Sequence, residues 1–323
     1  MATTYLTLTN KVLRELNETE LTSGTFASSR GIQTAVKDFV NKGINDIYNE
    51  AAEIPLLYAR TTQNLTTGDS EYDFPTDFRK IDRDSFTIAP RELITNGEFA
   101  SNITSWTTGD GSPSHTSSGN GRLNLNSSAA YQSVSTTVNK QYKLQVRVLS
   151  PNSSSTALIV RVGTSAGGTQ NLNTTIAVSD FGQGAILNAT FTATAKSSFI
   201  YVEASGVQLD VDYVRCSRSD VTRQKVLYIS YDDYLQNYKS IDDRNDSDVF
   251  GTPAKVYILP NFTAFGVTPI PSDDELTLSY NYYTTHTDLS AHGDNMSLPD
   301  RFSGLITDRA KYYTYMLRSD PQH

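Results

Sequence analysis

The chain has one cysteine, Cys216, in 323 residues. No internal disulfide can staple it, and a lone Cys reads by default as a small, half-buried apolar residue. Histidine is almost as scarce: His115, His286, His292 and His323 are scattered, without metal-ligand spacing or a partnered Cys. No run approaches the roughly 20 apolar residues that span a bilayer. The start, Met1-Ala2-Thr3-Thr4-Tyr5, has neither the basic segment nor the apolar run of a signal peptide. Neither membrane insertion nor secretion is expected. Gly-rich phosphate loops, nucleophile elbows and metalloprotease motifs are also missing. Glycan cleavage would need two carboxylates across a groove, and no motif pairs the acids that way. The expectation is no enzyme, no catalytic residue and no cofactor beyond a structural ion. An excess of positive charge is lacking too, with a formal net charge of −8. That argues against a surface that grips nucleic acid, because such affinity comes mainly from Lys and Arg neutralising phosphates.

What is present falls into two chemistries. Residues 91–218 contain 56 Ser, Thr, Asn or Gly among 128 and read as closely spaced short strands without a helical pattern. They hold nine Lys/Arg against seven Asp/Glu, a net of about +2, so the remainder of the chain carries about −10. On either side lie Asp77-Phe78-Arg79-Lys80-Ile81-Asp82-Arg83-Asp84-Ser85-Phe86-Thr87-Ile88 and Gln224-Lys225-Val226-Leu227-Tyr228-Ile229-Ser230-Tyr231-Asp232-Asp233-Tyr234-Leu235. They look like one β-hairpin cut open, with a separate domain spliced into the gap. The division is therefore 1–90, host; 91–218, insert; and 219–323, host again.

The host shows helical periodicity. A first helix is expected from Leu8 to Leu16, capped by Thr7 or Thr9, with Leu8, Val12, Leu13 and Leu16 on one face. A second runs from Arg30 to Ala52, with a stripe of Ile32, Val36, Phe39, Val40, Ile44, Ile47 and Tyr48. Two short strands flank Gly68-Asp69. Further strands are expected at 226–230, 255–259 and 276–282, and a short helix at 231–235. A last helix begins near Pro299-Asp300, with Phe302, Leu305, Ile306, Arg309, Tyr312, Tyr313 and Met316 at helical spacing. The acidic run 242–248 lacks the Gly and terminal Glu of an EF-hand and reads as a solvated loop.

Five host segments, in order, resemble the head-to-tail adaptor (connector) proteins of bacteriophages. They are Tyr5 to Asn17, the helix opening Arg30-Gly31-Ile32-Gln33, Phe74 to Asp82, Ile229 to Leu235, and Leu298-Pro299-Asp300-Arg301-Phe302. The resemblance covers roughly 1–90 and 219–323. It implies a virion protein at the phage neck, made in the host cytoplasm, that docks on the portal and closes into a homo-oligomeric ring, usually twelvefold. Such a ring extends the DNA ejection channel and offers a platform to tail or nozzle proteins. Double-stranded DNA would pass an acidic lumen without specific binding. Adaptors often carry a C-terminal arm that enters the portal; against that pattern the end, Arg318-Ser319-Asp320-Pro321-Gln322-His323, is short.

The insert is similar to jelly-roll modules of the carbohydrate-binding kind. Leu93-Ile94-Thr95-Asn96-Gly97-Glu98-Phe99, followed by Ser105-Trp106, resembles their first strand, and Leu209 to Val214 their last. Alternating runs at 142–148, 158–162 and 199–202 suit an antiparallel sandwich. Trp106 is either a core residue or a ring that stacks on a glycan. Glu98 and Asp212 resemble positions that hold a structural calcium in some such modules, although many modules of this shape bind none.

The expected fold is α+β: a small helical adaptor domain with long amphipathic helices and a β-hairpin or sheet, interrupted by an inserted all-β jelly-roll sandwich. The expected function is a head-to-tail adaptor forming a ring between portal and tail. The alternative is a tail-fibre or receptor-binding protein that uses the jelly roll to bind surface glycans, though no repeat or heptad of a fibre stem occurs.

Overall fold

The computed structural model describes residues 3–50, 55–117, 120–149, 156–178, 184–204, 208–244, 247–296 and 298–319. The fold is α+β, with five α-helices and nineteen strands among those residues. By packing the chain forms two compact units. The first is Met1–Thr61, Pro75–Asp82 and Asn281–His323; the second is Thr62–Phe74 and Arg83–Tyr280. Among the described residues no helix is long and apolar enough to cross a membrane.

The first unit is built on three helices. Helix α1 (Tyr5–Glu15) begins one turn earlier than the periodicity predicts, because Thr4 is its cap: the Thr4 side chain accepts from the Thr7 amide. Thr7 and Thr9 lie inside the helix, where Thr9 Oγ1 donates to the Tyr5 carbonyl at 2.8 Å. Helix α2 (Ile32–Glu50) buries Val36, Val40, Gly43, Ile44, Ile47 and Tyr48. Phe39, read as part of that stripe, is only half-buried and leans on Tyr313 at 5.7 Å. The expected end of α2 at Ala52 lies outside the described residues.

Strand β1 (Tyr58–Asn64) follows, then β2 (Glu71–Asp73), β3 (Phe78–Ile81) and β4 (Thr87–Pro90). Gly68, at φ +84°, turns the chain between β1 and β2, but the two do not pair with each other.

Ten strands, β5 to β14, make the sandwich within the second unit. They are β5 (Thr107–Asp110), β6 (Ser114–Thr116), β7 (Arg122–Asn126), β8 (Ala129–Ser135), β9 (Gln141–Leu149), β10 (Thr156–Gly163), β11 (Leu172–Val178), β12 (Gly184–Thr192), β13 (Ser197–Ala204) and β14 (Gln208–Arg218). One sheet runs β11-β10-β13-β8-β5 and the other β12-β9-β14-β7-β6, antiparallel throughout. Alternation decides which side chains enter. Tyr142, Leu144, Val146 and Val148 of β9 face Leu158, Val160 and Val162 of β10 and Ile200 and Val202 of β13 in one core. The entry 93–99, expected as a first strand, is a turn-rich segment instead, with Asn96 and Phe99 at positive φ.

The rest of the chain returns to the host: β15 (Gln224–Lys225), β16 (Leu227–Tyr228), α3 (Tyr231–Asn237), α4 (Lys239–Asp242), β17 (Lys255–Ile258), β18 (Ala264–Thr268), β19 (Leu276–Thr284) and α5 (Ser303–Ser319). The boundary between units falls within β1 and β19. In the first unit β3 pairs with the end of β19 through Ile81↔Tyr282. In the second, β4 pairs with its start through Ile88↔Leu278. The cut hairpin does close: β15 joins β4 antiparallel through Gln224↔Ile88 and Lys225↔Thr87. A further sheet runs β16-β17-β18-β2.

Helix α5 corrects the expected stripe. Its buried residues are Ile306, Thr307, Ala310 and Thr314. Apart from Ile306 the inner face is made of small side chains because α5 lies close against α2. A Cβ on Gly43 would stand 3.2 Å from the Ile306 carbonyl and 3.3 Å from the Arg309 Cβ. The buried threonines satisfy themselves on their own helix, Thr314 Oγ1 donating to the Ala310 carbonyl at 2.8 Å. Leu305, Tyr312, Tyr315 and Met316 are exposed instead, Tyr312 to 61% and Met316 to 53%.

Candidate functional site

The root of the sandwich is where insert and host residues of the second unit meet. The Glu92 carboxylate accepts from the Ile94 amide at 3.0 Å and from the Cys216 amide at 2.7 Å. The Leu93 amide donates to the Cys216 carbonyl and the Val214 amide to the Gly97 carbonyl, both at 2.8 Å. The chain therefore enters and leaves the sandwich on adjacent strands of backbone. Only glycine fits at 97, where a Cβ would come within 2.2 Å of the Val214 carbonyl oxygen. Burial pushes the Glu92 carboxyl above its ordinary range, against the pull of those backbone amides.

Next to this junction the exit arginine sits in a cage of acids. The Arg218 side chain is buried, with Nη2 on Asp220 and Nη1 on Asp273, both at 2.5 Å, and Nε 3.6 Å from Glu275 Oε2. The last contact is an ion pair without a hydrogen bond, since Oε2 has no hydrogen-bond partner. Glu275 Oε1 accepts from the Tyr142 hydroxyl at 2.6 Å and from Thr137 Oγ1 at 3.2 Å. The hydrogen bond to Asp220, with the surrounding carboxylates, keeps the guanidinium charged; Arg218 in turn holds the Asp220 carboxyl below its usual range. Burial pushes Glu275 and Tyr142 upward. The arrangement is a clamp that holds charge in place.

The residues expected to bind ligands lie elsewhere and are not brought together. Trp106 precedes β5 and is 9% exposed; its ring packs on Phe99 at 5.4 Å and its Nε1 donates to the Asn96 carbonyl at 3.3 Å. It is a core residue, with no face free to stack on a sugar. Glu98 is taken by Arg215 Nη2 at 2.5 Å. Asp212 accepts from Arg147 Nη1 at 3.0 Å and stands 3.6 Å from Arg122 Nε. Guanidinium groups occupy both carboxylates, whereas calcium asks for six to eight oxygen ligands. No group of three or more His, Cys, Asp or Glu set to hold a metal occurs among the described residues. This donor set does not fit calcium.

Two features escaped the sequence reading. The clamp joins residues far apart in the chain, and nothing local to Glu275 marks it. The other is an aromatic row on the face of one sheet opposite the core, where the half-buried Tyr131 of β8 lies 6.3 Å from the buried Tyr201 and 6.0 Å from the half-buried Phe199 of β13. Arg161 of β10 sits over the Tyr201 ring and pairs with Glu203 at 2.8 Å. The signal was available in the alternation, because Tyr131, Phe199 and Tyr201 occupy the positions opposite to the core residues of their strands.

The family model described as SU10 adaptor protein matches residues 3–157. That is just under half of the chain, and it agrees with the resemblance carried by the host's first segments. No curated protein matches the chain. Among solved structures, the chain is similar to the CBM22-1 xylan-binding domain of Xyn10C from Paenibacillus barcinonensis, at 18% identity and TM-score 0.33, over 40% of this chain and 96% of that one. It is also similar to the enzymatically active domain of tailspike protein 4 from bacteriophage CBA120, at 14% identity and TM-score 0.32, over 39% of this chain and 21% of that one. A third is TmCBM61 in complex with β-1,4-galactotriose, at 13% identity and TM-score 0.31, over 40% and 99%.

Proposed function

We propose that this chain is a phage virion structural protein of the head-to-tail adaptor kind. In this reading it forms a homo-oligomeric ring between portal and tail, with the sandwich as a displayed module and no catalytic role. The observation that carries the reading is the adaptor-family match over residues 3–157, which begins at α1 and takes in α2. The helical unit supplies a physical means. A head-to-tail contact in a closed ring must be heterologous, so each subunit needs an apolar face that its own fold leaves open. Leu305, Tyr312 and Met316 of α5, spaced by seven and four residues, offer one. Cryo-electron microscopy of the intact virion tests the reading: density for this chain in a ring beneath the portal supports it. Density in a trimeric fibre, or none in the neck, overturns it.

A second reading, glycan recognition by the sandwich, is favoured by the half-buried rings of Tyr131 and Phe199, backed by the buried Tyr201 with Arg161 and Glu203 beside it. Aromatic faces next to polar groups suit the apolar and hydroxylated sides of a sugar ring. Loss of oligosaccharide binding in Tyr131→Ala, with unchanged stability, would support it; absence of binding by the unmodified chain to a broad glycan set would exclude it.

A further inference from the structure

In the second unit, away from the sandwich root, a pocket of about 250 Å³ opens between the α3–α4 corner and the β17–β18 pair. Its walls are mostly apolar, from Ile241, Val249, Ala254 and Pro269, and Asp242 and Thr268 also line it. Asp242 is 6% exposed. Its Oδ1 accepts from Thr268 Oγ1 at 3.3 Å. Its Oδ2 is buried without a hydrogen-bond partner; the Tyr234 hydroxyl is close enough to favour the charged form but closes no bond there.

A buried carboxylate without a cation is costly and calls for a counter-charge. The described residues do not supply one. All 27 of the chain's Lys and Arg residues lie among the described residues, and none of them pairs with Asp242. Lys255 stands on the same pocket wall. Its ammonium is engaged by the Tyr238 hydroxyl and lies 3.8 Å from the centre of the Tyr238 ring. A single water needs about 10–15 Å³, so one water does not account for this space. A metal ion is a poor fit, since one carboxylate and one hydroxyl fall short of an oxygen cage. An apolar collar around a buried carboxylate matches a side chain with a methylene stem and a cationic head.

We propose that this pocket is a socket for one lysine or arginine side chain of another protein chain. The head would sit on the Asp242 carboxylate and the stem along Ile241, Val249 and Pro269. Ile241, 42% exposed, forms the lip over which the incoming segment lies.

The test is a methyl-NMR titration of the full chain at neutral pH, observing Ile241 and Val249. The probes are N-acetyl-arginine methylamide, n-butylammonium and n-pentanol. The expected result is saturable shifts of both methyls with the blocked arginine, at least tenfold weaker with n-pentanol, and lost in Asp242→Asn. Ile241→Ser should weaken the arginine probe while keeping the preference for charge over alcohol. Equal binding of n-pentanol, or no shift with the blocked arginine, overturns the proposal. So does binding of n-butylammonium alone, which would make the pocket a small-amine site, or full arginine binding by a folded Asp242→Asn.

Discussion

The Tyr142 hydroxyl donates to Glu275 Oε1 at 2.6 Å, joining residues 133 positions apart. Tyr142 belongs to the sandwich and Glu275 to the host segment leading into β19, so one bond reports whether the sandwich is seated. The same hydroxyl accepts from the Thr137 amide at 2.6 Å. Tyr142→Phe therefore leaves a buried carboxylate and an amide each short of a partner, at a cost of about 1–3 kcal/mol. Urea unfolding followed by circular dichroism checks this; an unchanged midpoint would mean the bond contributes nothing.

Removing the guanidinium should cost more. Arg218→Met strips Asp273 and Glu275 of their counter-charge, and breaking a buried ion pair from one side costs about 3–5 kcal/mol. Arg218→Lys, which keeps the charge but loses the fork shared by Asp220 and Asp273, should fall between the two. Denaturant midpoints for the three proteins give the order.

The two faces of α5 should respond in opposite ways. Gly43→Leu forces a side chain into the close approach to Ile306 and Arg309 and should destabilise the first unit by about 1–3 kcal/mol. Tyr312→Asp and Met316→Asp lie on the exposed face and should each change folding stability by no more than about 0.5 kcal/mol. Under the ring reading they should nevertheless abolish self-association, read as mass by light scattering. Assembly that survives both aspartates would move the interface elsewhere.

Much of the host was legible in the sequence because its helices carry apolar residues at period 3.6. Val36, Val40 and Ile44 are buried as that pattern requires. Helix α5 was misread in part for the same reason: large apolar residues suggest a broad stripe, while its inner face is Ile306, Ala310 and the threonines. Only the distance between two backbones, set at Gly43, selects small residues there. Asp242 was equally hidden. In a run of acids it reads as solvated, and its burial depends on β17 and β18, the latter of which the periodicity did not reveal. In the sandwich the alternation found the strands, but Trp106 was ambiguous, since a ring after the first segment serves a core or a ligand equally well until its neighbours are known.

Trp106, the one tryptophan in the chain, makes a further prediction simple to read. Trp106→Ala should cost about 3–5 kcal/mol, the usual range for emptying a large buried aromatic site. In the unmodified protein its emission should be blue-shifted and move to the red only when the sandwich unfolds. A red-shifted native spectrum would contradict the core placement.

Asp242 should leave a mark on the pH dependence of stability. Burial raises its native pKa above the ordinary 3.8. A carboxyl raised in the folded state favours the protonated form, so its stabilising effect is complete below the unfolded pKa. It is lost as pH rises through the native value. Asp242→Asn removes this dependence, so its stability relative to the unmodified protein should improve across that interval. Parallel curves for the two proteins over pH 3–8 would show that Asp242 does not titrate differently on folding.

The neighbouring entry and exit of the sandwich bear on how the host finds its own pairing. Strands β4 and β15 are separated by more than a hundred residues, and in an unfolded chain closing so long a loop carries an entropic penalty. Once Leu93 and Cys216 are hydrogen-bonded, the two chain ends leave side by side, and only the short links 91–92 and 217–223 remain between them and the strand pair. The sandwich, rich in contacts of its own, thus converts a distant strand pairing into a near one. On topological grounds it should fold before the sheet that holds it.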